Sequence, residues 1–310
     1  MHVHEVNTHM TTLTIPAAPP VQLAVPLPQQ RSRGYWAGAA VRFTRDPVAL
    51  SAALVVFLLL CMAVLGPWLV PADPYAASIF NRLKPIGTEG YLLGSDELGR
   101  DMLSRLIVGA RLSLFVGITP VIFAFAIGSV IGIVAGYAGG WTNTVIMRTI
   151  DVFYAFPSVL LAIALSGVLG AGIVNSLISL TIVFIPQIAR VAESVTTQVR
   201  GRDYVDAARA SGAHAFTIIR VHVLGNVLGP IFVYATSLIA VSMILASGLS
   251  FLGLGVKPPE PEWGLMLNTL RTAIYVQPWV AALPGVMIFI TSISFNILSD
   301  GLRSAMDNKG

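Results

Sequence analysis

Long stretches without charged residues dominate the hydropathy pattern of this chain. About 20 apolar residues are enough to cross a bilayer as a helix. Four of the stretches fit one crossing each, and the stretch 152–189 fits two short crossings joined at 170–172. The pattern therefore predicts an all-α membrane protein with six transmembrane helices. The stretches without Asp, Glu, Lys or Arg are 47–72, 112–147, 152–189, 221–256 and 272–299.

The composition supports a membrane protein. Of 310 residues, 55% are hydrophobic and 11% are charged, whereas soluble domains carry about 25% charged residues. The mean hydropathy is +0.78. Cys61 is the only cysteine, which excludes an intramolecular disulfide.

The stretches divide the chain into segments. A proline-rich tail over 1–34 is predicted to be disordered because it has few aromatic residues. The predicted segments are a tail and cytoplasmic lead-in (1–46), a first transmembrane helix (47–72), an external loop (73–105), a five-helix core (106–300) that includes a polar loop (200–226), and a cytoplasmic C-terminal tail (301–310).

The distribution of charge predicts the orientation. If both termini are cytoplasmic, 12 of the 19 basic residues lie inside, and the seven outside are balanced by seven acidic residues. The net charge of +4 then falls entirely on the cytoplasmic side, as the positive-inside rule favours. Arg105 and Arg111 count against this orientation, but the loop that they end is long, and long loops have little influence on membrane topology.

The polar loop 200–226 has the pattern of two short helices joined by a turn. Asp203 is a candidate N-cap, and Gly212 is suited to end the first helix in a left-handed conformation. Small side chains between them suit insertion into a partner's groove; the alternative is a hairpin lying on the membrane surface. The pattern resembles the Glu-Ala-Ala loop of ABC-importer permeases. The resemblance implies that a partner ATPase contacts Asp206, Ala207, Ala208 and Gly212.

Two residues of this loop depart from the family pattern. Asp206 stands where the family favours Glu, which keeps the charge on a shorter side chain. Gly225 stands where the family favours Pro, so the end of the loop is expected to be more mobile.

A second motif precedes the second span. Ser95 or Asp96 is a candidate N-cap, and Glu97–Arg100 and Asp101–Arg105 are spaced as ion pairs on an exposed helix surface. The string 93–114 resembles the C-type permease of dipeptide and oligopeptide importers. The residues that carry this resemblance are Gly94, Asp96, Gly99, Arg100, Asp101 and Arg105.

Three further features bear on packing. Gly128, Gly132 and Gly136 are spaced for close helix approach, with packing inside the chain favoured over subunit contact. Arg148 and Asp151 are one helical turn apart and are expected to pair. The external string 251–264 also resembles the family. The residues suited to an interfacial belt are Trp263, Tyr275 and Trp279; they either contact a delivering protein or anchor the loop.

The resemblance implies a type I ABC-importer permease fold in a bacterial inner membrane. The implied partners are a homologous second permease, two ATP-binding subunits and an external substrate-binding protein. ATP and Mg²⁺ would be used by the ATP-binding subunits, because this chain lacks the Gly-x-x-x-x-Gly-Lys-Ser/Thr pattern of a phosphate-binding loop. We expect no catalytic residue, metal site, cofactor or nucleic-acid partner in this chain.

Two other classes remain as alternatives. An ion-coupled secondary transporter would place ionisable residues inside its spans, and a non-transporting scaffold would have no ATPase partner. For an importer, the solute is left open among dipeptides, oligopeptides, nickel, glutathione and opines.

Overall fold

The computed structural model describes residues 35–306, so the tail predicted to be disordered (1–34) and the last four residues lie outside the described residues. The described chain is helical apart from its loops. A π-helical turn (Ile219–Val223) joins α8 to α9, and 3₁₀ turns occupy Ile79–Asn81 and Leu270–Tyr275. The helices are α1 (Tyr35–Phe43), α2 (Pro47–Leu69), α3 (Met102–Ala138), α4 (Gly140–Tyr154), α5 (Ser158–Leu169), α6 (Ile173–Arg200), α7 (Asp203–Ala210), α8 (Ala215–Ile218), α9 (Leu224–Phe251), α10 (Trp263–Thr269) and α11 (Pro278–Met306).

Five helices within 35–306 are long and apolar enough to cross a membrane: α2, α3, α6, the continuous helix Ala215–Phe251 and α11. The remaining candidate is the pair α4–α5, which is bent by 85°. The third crossing, which the sequence places between residue 152 and the turn at 170–172, is thus a bent pair of helices that begins before residue 152. With 12 residues, α5 is about 18 Å long, too short for a hydrocarbon core of about 30 Å. Pro157 causes the break, because it lacks an N–H and disfavours a helical residue before it.

A stripe of glycines brings α3 and α6 together in parallel. Added Cβ atoms on Gly128, Gly132 and Gly136 would meet Ile188, Ala192 and Thr196, respectively. Residue numbers rise together along the two helices, so α3 and α6 run in the same direction. The chain between them must therefore return across the membrane, which makes α4–α5 a broken crossing and gives six crossings in total. In the structure the glycine stripe packs within the chain.

Contacts between helix ends show which loops share a face of the bundle. Gly66 near the end of α2 packs on Ile107 near the start of α3, whereas Ala49 near the start of α2 packs on Gly301 near the end of α11. Neighbouring helices α2 and α3 are therefore antiparallel. One face holds the start of α2, the ends of α3, α6 and α11, and the segment 200–226; the other face holds the loops 70–101 and 252–277.

The glycine stripe generates a stability prediction. Gly132→Ala should lower the free energy of unfolding by about 1–3 kcal/mol, since the added methyl group would overlap the backbone oxygen of Ala189 and the side chain of Ala192. Gly167→Ala in α5 is the matched control, because its added Cβ would have no atom within 4 Å and alanine favours a helix. Thermal unfolding of the purified proteins measures the difference. Equal midpoints for the two variants would contradict the close packing.

Candidate coupling surface and the opposite face

The segment 203–226 is fixed to the bundle by apolar side chains. Val205 of α7, Ile218 of α8 and Val223 of the π turn are at most 1% exposed. They belong to one core with buried residues of α3, α6 and α9. Burying a side chain of this kind contributes about 1.5–3 kcal/mol. The segment is therefore packed against the core through three buried side chains.

The turn between α7 and α8 depends on Gly212. Its φ of +80° lies in the left-handed region that favours glycine. The Gly212 N–H donates to the Arg209 carbonyl at 2.9 Å, and the Ala213 N–H donates to the Ala208 carbonyl at 3.1 Å. These bonds satisfy carbonyls at the end of α7, which is the helix end that the sequence predicts at this residue.

Asp203 begins α7 but does not cap it. The N-cap position is occupied by Arg202, whose side chain makes no capping hydrogen bond, so the predicted cap is one residue off. Asp203 and Asp206 lie in the first turn, where carboxylates interact favourably with the helix dipole. Asp206 accepts a hydrogen bond from Arg209 at 3.0 Å. Because both side chains are exposed, this pair adds little to stability.

A surface of small side chains surrounds the turn. Ala207, Ala210 and Gly212 are exposed, whereas Ala208 is half-buried against the core. Phe216, at the start of α8, is 74% exposed. We call Ala207, Ala210, Gly212 and Phe216 the coupling tip. Small residues that allow close approach, next to one exposed aromatic ring, are suited to a groove on another protein.

Polar contacts also hold the segment 203–226, which we call the coupling segment. The Tyr204 hydroxyl of α7 accepts a hydrogen bond from the Asn226 side chain of α9 at 3.3 Å. The Arg209 guanidinium lies 5.5 Å from the ring centroid of Tyr137, in the last turn of α3, which is within range of a cation–π interaction. α7 therefore contacts the end of α3 and the start of α9.

The greater mobility predicted for the loop end at Gly225 remains a prediction. Gly225 lies inside the continuous helix Ala215–Phe251, and an added Cβ there would have no atom within 4 Å. The absence of the family's proline at this position does not interrupt the helix.

On the opposite face, the loop 70–101 is organised around a buried carboxylate. Asp96 is 2% exposed. One of its oxygens accepts two backbone N–H groups at 2.9 Å, and the other lies 2.6 Å from Arg100 Nε and 3.3 Å from Arg105 Nε. Arg100 and Arg105 are buried, so the expectation that they lie on an exposed helix surface is wrong. Removing one partner from such a buried cluster costs about 3–5 kcal/mol.

The residues around this cluster also differ from the prediction. Asp101, not Ser95 or Asp96, caps α3, accepting the Ser104 N–H at 2.8 Å. Asp101 thus does not pair with Arg105, whereas the expected Glu97–Arg100 pair forms at 3.2 Å. The two glycines of the motif, Gly94 and Gly99, take φ values of +79° and +75°, which explains why the loop needs glycine at both positions.

The string 251–264, on the same face, ends in a buried junction. Glu262 is fully buried and accepts two backbone N–H groups at the start of α10; burial raises the pKa of this carboxyl. Trp263 is also fully buried and donates to the Leu106 carbonyl of α3 at 3.0 Å, so its predicted place in an interfacial belt is wrong. Tyr275 and Trp279 are exposed, as a belt requires.

A charge cluster at the α4–α5 break was missed by sequence reasoning. The expected Arg148–Asp151 pair is long, at 3.9 Å. Asp151 contacts Arg190 of α6 instead, and the Arg190 guanidinium lies 5.1 Å from the ring centroid of Tyr154. The predicted fourth crossing ended at residue 189, but α6 continues to Arg200 and carries Arg190 and Glu193. The only sequence signal of this cluster was Arg190, a basic residue directly after the apolar stretch 152–189.

Two family matches cover most of the chain. The family described as binding-protein-dependent transport system inner membrane component matches residues 128–309. The family described as N-terminal TM domain of oligopeptide transport permease C matches residues 34–85. The chain belongs to this family of permeases. It is a multi-pass transmembrane permease subunit of an ABC importer, of the C type found in peptide-class systems, as its motifs predict.

Individual relatives agree with this assignment. Two proteins named glutathione transport system permease protein GsiD, from Pectobacterium atrosepticum and Escherichia coli O6, are each 41% identical over 268 residues. The matches cover 86% of this chain and 89% and 88% of those proteins. A chain of the methionine ABC transporter MetNI, solved in inward-facing conformations, superposes with a TM-score of 0.54 at 19% identity, covering 66% of this chain and 97% of that one. The predicted type I importer permease fold is confirmed.

Proposed function

We propose that this permease forms half of a translocation path for peptides or a related small solute, and that ATPase subunits drive it through the coupling tip. One observation carries the proposal: exposed small residues lie on helices whose opposite side is buried in the core through Val205, Ile218 and Val223. A force applied at the tip would therefore reach the core. The 41% identical relatives named for glutathione transport support a small peptide as the solute.

The partners follow from the same proposal. A homologous second permease would complete the path, and an external substrate-binding protein would deliver the solute. Two ATP-binding subunits would bind ATP and Mg²⁺, and this chain would bind neither. The sequence supports the assignment of ATP binding to the partner subunits, because this chain lacks a phosphate-binding loop pattern.

We further propose that the face with the coupling tip is cytoplasmic in a bacterial inner membrane, with both termini on that side. The excess of basic residues on this face supports the orientation. Single cysteines at Glu89 and Ser211, both exposed and on opposite faces, test it in a Cys61→Ala background. Glu89→Cys should react with a membrane-impermeant thiol reagent in intact cells, and Ser211→Cys only in inverted vesicles. Reaction of both from the same side would refute the orientation.

The coupling role predicts a specific defect. Ala207→Arg should lower solute uptake and co-purification of the ATPase by about tenfold or more, because a long side chain would keep a groove from closing over the tip. Its own packing is undisturbed, since residue 207 is exposed. Uptake into cells and the ATPase recovered with the tagged permease are the measurements.

Two controls isolate the effect. Ala207→Ser keeps the side chain small and should retain uptake. Ala40→Arg makes the same substitution at an exposed alanine of α1, outside the coupling segment, and should also retain it. If Ala207→Arg behaved like Ala40→Arg in both assays, the ATPase would not dock at the tip.

A further inference from the structure

An ion pair closes the base of a helical hairpin in the membrane. The charge-free stretch 152–189 forms α5 and most of α6, and Asn175 near the start of α6 donates to the Leu169 carbonyl at the end of α5 at 2.7 Å. Asp151 directly precedes the stretch, and Arg190 directly follows it. Their side chains are in contact, so the two ends of the hairpin meet at the edge of its apolar part. We call this contact the hairpin ion pair.

The carboxylate of this pair has a second arginine within reach. Asp151 Oδ1 contacts Arg190 of α6, and Asp151 Oδ2 lies 3.9 Å from Arg148 Nη1, one turn earlier in α4. The side chains of Asp151, Arg190 and Arg148 are 38%, 47% and 81% exposed, respectively. Ion pairs of such exposure are weak, because water competes for both charges. A move of Asp151 from Arg190 to Arg148 therefore replaces one weak pair with another, since residues three apart on a helix are neighbours.

Few contacts hold the end of α4 on the bundle. Ile150 is the one buried side chain of α4, a helix that lies entirely within the described residues. A cavity of about 240 Å³ lies between the α4–α5 break and α6, and its lining includes Tyr154, Ser158 and Gln187. The break is therefore loosely packed on α6. One apolar side chain and one exposed ion pair hold the end of α4 there.

The start of α4, by contrast, is firmly held. Asn143 donates to the Ala135 carbonyl of α3 at 3.2 Å and to the Glu193 carboxylate of α6 at 2.6 Å. The joint before it consists of Gly139 and Gly140, with φ values of +66° and +53°, a conformation that favours glycine. A fixed start and a weakly held end allow the end of α4 to leave α6 while the rest of the bundle stays packed.

We propose that Asp151 switches between Arg190 and Arg148. Paired with Arg190, it holds the end of α4 on α6, as in this structure. Paired with Arg148, it releases that end and opens the base of the hairpin. Two such conformations coexist when they differ by a few weak contacts, with the minor one populated at about 0.1–10%. The release occurs during transport; this last step rests on the proposed function, whereas the switch itself does not.

Hydrogen exchange followed by mass spectrometry tests the switch. The full-length protein is purified with its partners in lipid nanodiscs, without nucleotide or solute, and exchange over 148–158, corrected for intrinsic rates, measures how often the end of α4 opens. Asp151→Asn and Arg190→Gln should each speed this exchange about threefold, because each removes the pair that holds α4 on α6. Arg148→Gln should slow it about twofold, because it removes the competing partner. Faster exchange in Arg148→Gln than in the unchanged protein would contradict the switch.

Matched variants distinguish this pair from a general effect of charge. Asp300→Asn in α11 and Arg45→Gln before α2 remove other exposed charges and should leave the exchange unchanged. Asp151→Arg combined with Arg190→Asp restores opposite charges and should recover the slow exchange that either change alone loses. If Asp151→Asn exchanged as slowly as Asp300→Asn, or if the reversed pair gave no recovery, the hairpin ion pair would not hold α4.

Cross-linking tests whether the release is part of transport. Asp151→Cys and Arg190→Cys are combined in a Cys61→Ala background and bridged by a short bis-methanethiosulfonate reagent, which a reductant removes. The bridge should lower uptake of a radiolabelled tripeptide about tenfold, because the end of α4 can no longer leave α6, and the reductant should restore it. The same reagent should leave uptake by each single-cysteine variant unchanged. Uptake that continued at the unbridged rate would overturn the role of the release in transport, whichever result the exchange measurement gives for the switch.

Discussion

The close parallel approach of α3 and α6 is the constraint on which the rest of the structure depends. Dispersion between closely packed backbones replaces the hydrophobic effect as the source of helix association inside a bilayer, and Gly128, Gly132 and Gly136 allow that approach. Because the two helices run in the same direction, the chain between them must cross back as the broken pair α4–α5. The ends of α3 and α6 also lie on the face where the coupling segment packs.

The coupling segment and the loop 70–101 lie on opposite faces and are held by different kinds of interaction. The segment 203–226 is attached by three buried apolar side chains and presents small residues outward. The loop 70–101 is organised by one carboxylate, Asp96, which lies between two buried arginines. Under the proposed function, a force that the ATPases apply to the segment 203–226 is transmitted to the core. The cluster around Asp96 fixes the start of α3 at the opposite face.

Charge-free stretches were sufficient to predict six crossings, because the bilayer requires long apolar helices regardless of tertiary detail. The same stretches could not show that Pro157 breaks the third crossing, since an apolar run has no informative periodicity. The turn at Gly212 was predictable because glycine is the residue that the left-handed conformation favours. The burial of Asp96, Arg105 and Trp263 was not predictable. Charge predicts exposure for Asp96 and Arg105, and an amphipathic ring predicts an interfacial position for Trp263, so only the tertiary contacts reveal that these residues are buried. The contact between Asp151 and Arg190 joins residues 39 positions apart, beyond the reach of local spacing rules.

The central claim is that this subunit is a path opened by ATP hydrolysis in its partners. It is tested most directly by peptide uptake into proteoliposomes that contain the permease pair, the ATPases and the binding protein. The account predicts that uptake requires ATP on the side of the membrane where the ATPases lie. Uptake should continue when ionophores collapse the proton and sodium gradients. Gradient-driven uptake by the permeases without ATPases would contradict it and would favour an ion-coupled carrier.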